Sequence, residues 1–175
     1  LDMAIRFHGH KCPAMPLGLR AGLTAMEKLN VGRALNKELF CYLEVGPAHA
    51  MMCFGDGVQV ATGCTYGKAN IQKLNYSKTA LTLVDVKKKK AVRVAVNPEF
   101  QKRGLSSQFV QLRSQGIQPQ DIPSDIVDPL IQRILEESDQ VLFKISEVFD
   151  FDFKGEKSSF EWYECENCKE ITFAQ

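Results

Sequence analysis

The sequence predicts an α/β (α+β) fold, with an antiparallel or mixed sheet flanked by helices. Three observations predict it: helically spaced apolar residues after residue 14, alternating strands over 78–86 and 91–96, and a Cys-x-x-Cys pair near the C-terminus. The pair indicates a small zinc-knuckle appendage. At 175 residues the chain has length for one core. We expect a core domain over 1–150, a linker over 151–159 and a partial zinc finger over 160–175.

The first half of the chain is expected to supply two helices and a buried strand. Residues 1–12 are interpreted as a lead-in, and the prolines that follow suit the first turn of a helix over 14–29. Residues 39–45 have the composition of a buried strand. A further helix is expected within 51–62, beginning at Asp56.

The second half begins with a predicted hairpin over 78–86 and 91–96, turned by the lysines at 87–90. Residues 98–115 are expected to be helical or irregular. Ser124 and Asp125 are suited to begin a helix that continues through Leu135. Residues 141–149 are interpreted as a strand or as a continuation of that helix.

Composition limits the classes of function. The net charge is +1, from 22 basic and 21 acidic residues, so nucleic acid is not expected as a partner. The apolar stretches are too short to cross a bilayer as a helix. Six cysteines occur without an apolar leader segment, and we therefore expect a reducing, cytoplasmic setting.

The densest group of metal-binding residue types is HGHKCP at residues 8–13. Imidazoles of His8 and His10 and the thiol of Cys12 are ligands that zinc and other borderline divalent ions select. Gly9 allows the backbone to turn so that both rings face one point. Cys12 precedes a predicted helix, whose N-terminus is expected to lower the pKa of its thiol. Each residue alone is more typical of a packed side chain, but the three together favour a site.

A second group of polar residues lies over 53–68. On a helix, Cys53, Asp56 and Gln59 share one face. Together with Lys68 they would supply a ligand, a base and an acid. The alternative is that Asp56 caps the helix and the cysteines are core residues. The glycines over 63–68 lack the spacing of a phosphate-binding loop.

Cys165 and Cys168 have the spacing of a zinc knuckle. A structural zinc site needs two further ligands, and none follows in the sequence. A second pair beyond the sequence, ligands from a partner chain, and a redox dithiol are the alternatives; we expect a structural zinc. His49 and Cys41 are interpreted as core residues.

Taken in order, these motifs resemble the family of the E subunit of formylmethanofuran dehydrogenase and its relatives. The resemblance covers residues 5–150 and rests on FHGHxCP from Phe7, on Gly18, and on CxxDxxQxxTGCTxGK from Cys53. One departure is Ala14, where the family usually has glycine. Many members carry a C-terminal zinc finger, and the Cys-x-x-Cys pair resembles its first half.

The resemblance implies a homodimer in which the motif residues line one cleft. The residues that match the shared pattern are His8, His10, Cys12, Cys53, Asp56, Gln59, Thr62, Cys64, Thr65 and Lys68. The expected ligands of a divalent ion in the cleft, with zinc as that ion, are His8, His10, Cys12, Cys53 and Cys64. The expected catalytic groups are Cys12, His10, Asp56 and Lys68, and the expected cofactor-binding residues are Gln59, Thr62 and Thr65.

Three functions are compatible with this interpretation. The first is a metal-binding protein accessory to a molybdenum or tungsten oxidoreductase, with a role in metal handling or one-carbon transfer and with other subunits of that enzyme as partners. The second is an independent enzyme in which a Cys12 thiolate is the nucleophile and a histidine the base, with Lys68 stabilising negative charge. The third is a binding module that acts through the zinc finger.

Overall fold

A six-stranded mixed sheet lies at the centre of the computed structural model, which describes residues 1–47, 51–155 and 160–174. Its strands are β1 (Leu39–Leu43), β2 (Ile71–Lys73), β3 (Ala80–Asp85), β4 (Lys90–Val96), β5 (Phe143–Ile145) and β6 (Phe149–Asp150). The order is β2-β1-β3-β4-β5, and β6 also pairs with β4. Strands β1 and β2 are parallel and all other pairs are antiparallel. The predicted fold class is therefore confirmed.

Helices precede and follow the strands of this sheet. They are α1 (Asp2–His8), α2 (Ala14–Leu29), α3 (Cys53–Thr62), α4 (Pro98–Leu105), α5 (Gln108–Ser114), α6 (Ser124–Glu136) and α7 (Asp139–Leu142). Short 3-10 helices lie at Tyr66–Lys68 and Pro119–Asp121. The bounds of α2 are those predicted, and α6 begins at the predicted Ser124.

One helix was not predicted, and another begins earlier than predicted. The lead-in contains α1, a helix with only Ala4 buried, so its sequence has too little apolar periodicity to be recognised. Helix α3 begins at Cys53 rather than at Asp56, which places Asp56 in the first turn. A carboxylate in the first turn is favourable because it faces the positive end of the helix.

The predicted hairpin is confirmed, with Leu81 opposite Val94 and Asp85 opposite Lys90. Both alternatives for residues 141–149 occur in succession, because the chain completes α7 and then enters β5 and β6. Residues 98–115 form α4 and α5. Asn97 begins α4 by accepting a hydrogen bond from the backbone N–H of Glu99.

Helices α2 and α3 approach each other closely at two glycines. A Cβ atom on Gly18 would lie 1.9 Å from the carbonyl oxygen of Phe54, and one on Gly57 would lie 2.0 Å from that of Met15. The two backbones are therefore in direct contact. This contact fixes the start of α2 against the start of α3, where the candidate site lies.

The sheet has one face in the main core and one covered in part by aromatic side chains. Along β1, the odd-numbered residues from Leu39 to Leu43 are buried in the core beside α2. On the other face, the ring of Phe40 lies 4.8 Å from that of Phe153, and the ring of Tyr42 lies 5.7 Å from that of Phe151. Part of the predicted linker thus packs on the sheet.

The C-terminal segment forms a two-stranded hairpin of β7 (Trp162–Glu164) and β8 (Ile171–Phe173). Residues 156–159 of the predicted linker lie outside the described residues, as does His49. In the described part of the chain, no helix combines the length and the apolar character that a membrane crossing requires.

Candidate metal centre

Four side chains from three segments converge at the N-terminal ends of α2 and α3. The ligand atoms of His8, His10, Cys12 and Cys53 all lie within 4.8 Å of one another, and we call this group the His/Cys cluster. Gly9 ends α1 in the left-handed conformation (φ 91°), which brings His8 and His10 together with ring centroids 4.2 Å apart. The cluster thus joins the two motifs that the sequence separates by about 40 residues.

The orientation of His8 is fixed by Asp56. The Nδ1 atom of His8 lies 2.7 Å from Oδ2 of Asp56, and the amide of Gln59 donates to the other carboxylate oxygen at 3.3 Å. With the proton on Nδ1, the Nε2 atom carries a lone pair. That Nε2 faces Nε2 of His10 at 3.1 Å and Sγ of Cys12 at 3.6 Å. Metal-bound histidines are commonly oriented by a carboxylate in this way.

The two cysteines of the cluster share a proton. The thiol of Cys12 donates to Cys53, and this hydrogen bond, aided by His8, lowers the pKa of Cys53 to about 6. The same hydrogen bond, together with burial, raises the pKa of Cys12. The hydrogen bond therefore favours the thiolate form of Cys53 over that of Cys12.

This result corrects the expectation that the start of α2 lowers the pKa of Cys12. The N–H groups of Ala14 and Met15 do point at its sulfur, but the bond to Cys53 and burial outweigh them. Cys12 is also only 3% exposed, which makes it poorly accessible as a nucleophile. The geometry suits a ligand better than it suits the attacking group of the second hypothesis.

Burial, His8 and Arg113 all lower the pKa of His10, which favours its neutral form. A neutral ring has a free lone pair for a metal ion. In a tetrahedral zinc site with bonds of about 2.0–2.3 Å, the ligand atoms lie about 3.3–3.8 Å apart. The separations of His8 from His10 and Cys12 are close to that range. The four residues could therefore hold a tetrahedral ion.

Comparison with known proteins places this site in a family. The family model described as "FmdE, Molybdenum formylmethanofuran dehydrogenase operon" matches residues 7–144, which include the whole cluster. The chain belongs to the FmdE family.

Two relatives extend the comparison. A "Probable S-adenosyl-L-methionine-binding protein" of Archaeoglobus fulgidus is 33% identical over 98% of the chain, and the chain spans 48% of that relative's length. The crystal structure of a tungsten formylmethanofuran dehydrogenase FmdE-like protein from Syntrophus aciditrophicus has a TM-score of 0.62 at 16% identity. That match covers 98% of this chain and 83% of the other. This structural likeness shows the FmdE fold.

Several motif residues of this FmdE-family chain lie away from the cluster, at the opposite end of α3. They are Thr62, Cys64, Thr65 and Lys68. Thr62 is nine residues after Cys53, which corresponds to roughly 13 Å along a helix. Nζ of Lys68 donates to the carbonyl of Ala34 at 2.9 Å, and Cys64 is fully buried. The structure therefore does not bring this group to the ligands, whereas Gln59 stays near them through Asp56.

Cys165 and Cys168 lie at the turn between β7 and β8. Backbone N–H groups of Cys168 and Asn167 point at the sulfur of Cys165 and lower its pKa. This arrangement resembles a knuckle. Among the described residues, the His/Cys cluster is the one group of three or more converging metal-binding side chains, and in the hairpin the thiol of Cys168 donates to Oε2 of Glu170 at 3.5 Å.

A cavity of about 380 Å³ borders the cluster and was not predicted from the sequence. Cys12, Cys53 and His10 form part of its wall, and α4, α5 and α6 supply most of the rest. No motif marks these helices, since their lining residues are spread over about 35 positions between Phe100 and Ile134. The apolar spacing of α6 was the available signal, but that pattern does not distinguish a cavity wall from a core.

Proposed function

We propose that this FmdE-family protein binds a divalent transition-metal ion in the His/Cys cluster, with zinc as the resident ion. The observation that carries the proposal is the convergence of two imidazoles and two thiols on one point. Hard ions such as Mg²⁺ prefer oxygen ligands, whereas this set of nitrogen and sulfur donors favours zinc and its neighbours.

The surrounding residues support the same assignment. Asp56 orients His8, the start of α2 directs two N–H groups at Cys12, and the hydrogen bond from Cys12 lowers the pKa of Cys53. When bound, the ion would supply a positive centre that stabilises both thiolates. The four protein donors would complete a tetrahedral shell, which is typical of a site that holds its ion firmly.

The wider role that we propose is accessory to a molybdenum or tungsten oxidoreductase, in metal handling or one-carbon transfer. The description of the family and that of the Syntrophus aciditrophicus protein support this role. We further propose a homodimer, as the resemblance to the family implies, and a reducing cytoplasmic setting. The cysteines of the described residues are free thiols, as a thiolate site requires. Sedimentation of the full chain with and without candidate oxidoreductase subunits tests the partners.

Metal content measures the central proposal directly. The full chain is purified without oxygen, and metal per chain is determined by plasma mass spectrometry. Cys12→Ser and Cys53→Ser are expected to lose the ion of the cluster, because each removes a sulfur ligand. Cys64→Ser is the matched control, since it removes a buried thiol at the far end of α3.

Cobalt substitution adds a spectroscopic readout. Cobalt bound by two thiolates gives sulfur-to-metal charge-transfer absorption, which is expected to be lost in the Cys12→Ser and Cys53→Ser variants and kept in Cys64→Ser. Retention of metal and absorption in both cluster variants, with folding unchanged by circular dichroism, would contradict the proposal. Loss in the Cys64 variant alone would place the ion elsewhere.

A further inference from the structure

The cavity beside the His/Cys cluster is lined mainly by apolar side chains and carries arginines at its rim. Most of its lining side chains are apolar, including Leu17, Phe100, Phe109 and Leu130. Three arginines line it, and the sulfur of Cys53, which belongs to the cluster, is the one thiol of the lining with a lowered pKa. In the described part of the chain, no aspartate or glutamate lines it. A volume of about 380 Å³ lies within the usual range for small-molecule sites, about 300–1,000 Å³.

Of the three arginines, Arg113 is the one whose positive charge acts on the cluster, where it helps to lower the pKa of His10. It is partly buried, and its Nη1 donates to the carbonyl of Ile117 at 2.5 Å, which holds the side chain in place. The guanidinium has further N–H donors besides this one. A fixed cation with spare donors at an apolar cavity is suited to a carboxylate.

Arg103 and Arg133 are exposed and stand over the same aromatic ring. Their guanidinium carbons lie 5.9 and 5.7 Å from the ring centroid of Phe100. A guanidinium at this distance is attracted to the face of the ring, which restrains both arginines beside the cavity. Arg103 also lies near Glu99, whose pKa it helps to lower, so part of its charge is offset. Among the described residues, none of these three arginines forms a direct ion pair.

We propose that this cavity binds a small organic acid with an apolar body. The body lies against the apolar wall beside the cluster, and the carboxylate pairs with Arg113, with Arg103 and Arg133 adding positive charge at the rim. The charge complementarity selects against amines of the same shape. The inference depends on the cavity and the arginines and not on a bound ion, so it stands or falls separately from the metal proposal.

Displacement of a fluorescent probe tests the inference. Anilinonaphthalene sulfonate, an apolar anion, is bound to the full chain and displaced by three ligands of equal length: octanoate, octanol and octylamine. Octanoate is expected to displace the probe at a concentration about tenfold lower than octanol, as a charge-assisted hydrogen bond implies. Octylamine is expected to be the weakest.

Substitutions of the arginines test which of them binds the carboxylate of octanoate. Arg113→Gln is expected to weaken octanoate about tenfold and to leave octanol unchanged. Arg113→Lys keeps the charge and is expected to recover part of the loss. Arg103→Gln, at an exposed residue, provides a second variant with a smaller loss of about threefold. Lys102→Gln is the matched control on α4, because Lys102 pairs with Glu99 and does not line the cavity.

The inference is overturned if octanoate and octanol displace the probe equally, or if neither arginine variant changes octanoate binding. It is overturned as well if S-adenosylmethionine, the ligand in the relative's description, displaces the probe more tightly than octanoate, because its sulfonium is opposed by the arginines. Repeating the titration after removal of metal with a chelator separates the two proposals. Octanoate binding that persists there supports the cavity whatever the fate of the cluster.

Discussion

Replacing Asp56 with asparagine tests whether the carboxylate orients His8 for metal binding. The substitution keeps the size of the side chain and an oxygen that can accept a hydrogen bond from Nδ1–H of His8, but it removes the negative charge. The bond at 2.7 Å to a His8 side chain that is 9% exposed is a charge-assisted one. Losing such a bond costs about 1.5–3 kcal/mol when the site is dry, and the neutral bond of about 1 kcal/mol that remains reduces the net loss to about 0.5–2 kcal/mol.

Asp56 is itself 35% exposed, so solvent screening keeps the loss below the upper end of that range. We therefore expect the affinity for zinc to fall about tenfold, which is about 1.4 kcal/mol and at the lower limit of the known effects of such outer-shell changes. Competition against a chromophoric chelator near neutral pH measures it. Asp128→Asn is the control, because that carboxylate lies 2.9 Å from Nζ of Lys11 and makes no bond to the cluster histidines. Equal affinities in the Asp56→Asn variant and the unchanged protein, or equal losses in both variants, would refute the reasoning.

Three further predictions concern the fold and the hairpin. Gly18→Ala is expected to lower the free energy of unfolding by about 3 kcal/mol in denaturant titrations, because the added Cβ would lie 1.9 Å from a carbonyl oxygen of α3. Gly67→Ala is the control: its added Cβ has open space around it, so the free energy of unfolding should change by less than about 0.5 kcal/mol. Burial raises the pKa of Cys64 to about 11. Between about pH 9 and pH 11 this thiol therefore stays neutral in the folded protein while it ionises in the unfolded chain. The free energy of unfolding is unaffected by Cys64 below about pH 9 and falls by about 1.4 kcal/mol per pH unit from there to about pH 11. Cys64→Ala should flatten that alkaline decline in urea titrations, and an unchanged slope would contradict it. Replacing both Cys165 and Cys168 with serine should leave the tightly bound ion in place by plasma mass spectrometry, since the cluster holds four donors and the hairpin two sulfurs; loss of that ion would assign it to the hairpin.

The elements that sequence reasoning located well are those whose own residues carry the signal. Helix α2 has apolar residues at helical spacing along its whole length, and the β3–β4 hairpin has two runs rich in apolar residues on either side of a lysine-rich turn. Helix α1 was missed because it buries only Ala4, so its sequence lacks an apolar stripe. The bounds of α3 shifted because its first turn is fixed by contact with α2 rather than by a capping side chain.

For the candidate site, sequence reasoning recognised the residue types but not all of their positions in space. His8, His10, Cys12 and Cys53 were predicted as ligands and do converge. Cys64 was grouped with them because it lies in the same motif, yet the length of α3 carries it to the far end. Asp56 was interpreted as a catalytic group. Its contact with His8 joins residues that are 48 positions apart in the sequence, and no local pattern predicts such a contact. The arginines of the cavity share no spacing, since they come from three different helices.

The unequal anchoring of the four ligands has a consequence for how an ion would be exchanged. The sulfurs belong to the start of α2 and the start of α3, which are locked together by backbone contact at two glycines. The imidazoles belong to the end of α1 and its connector, a segment with one buried residue. Detaching that short segment removes two of four donors while the core remains folded, so the energy needed is well below that of global unfolding. Ion release and loading should then follow the opening of the first ten residues, and protection of their amide hydrogens should rise with metal occupancy.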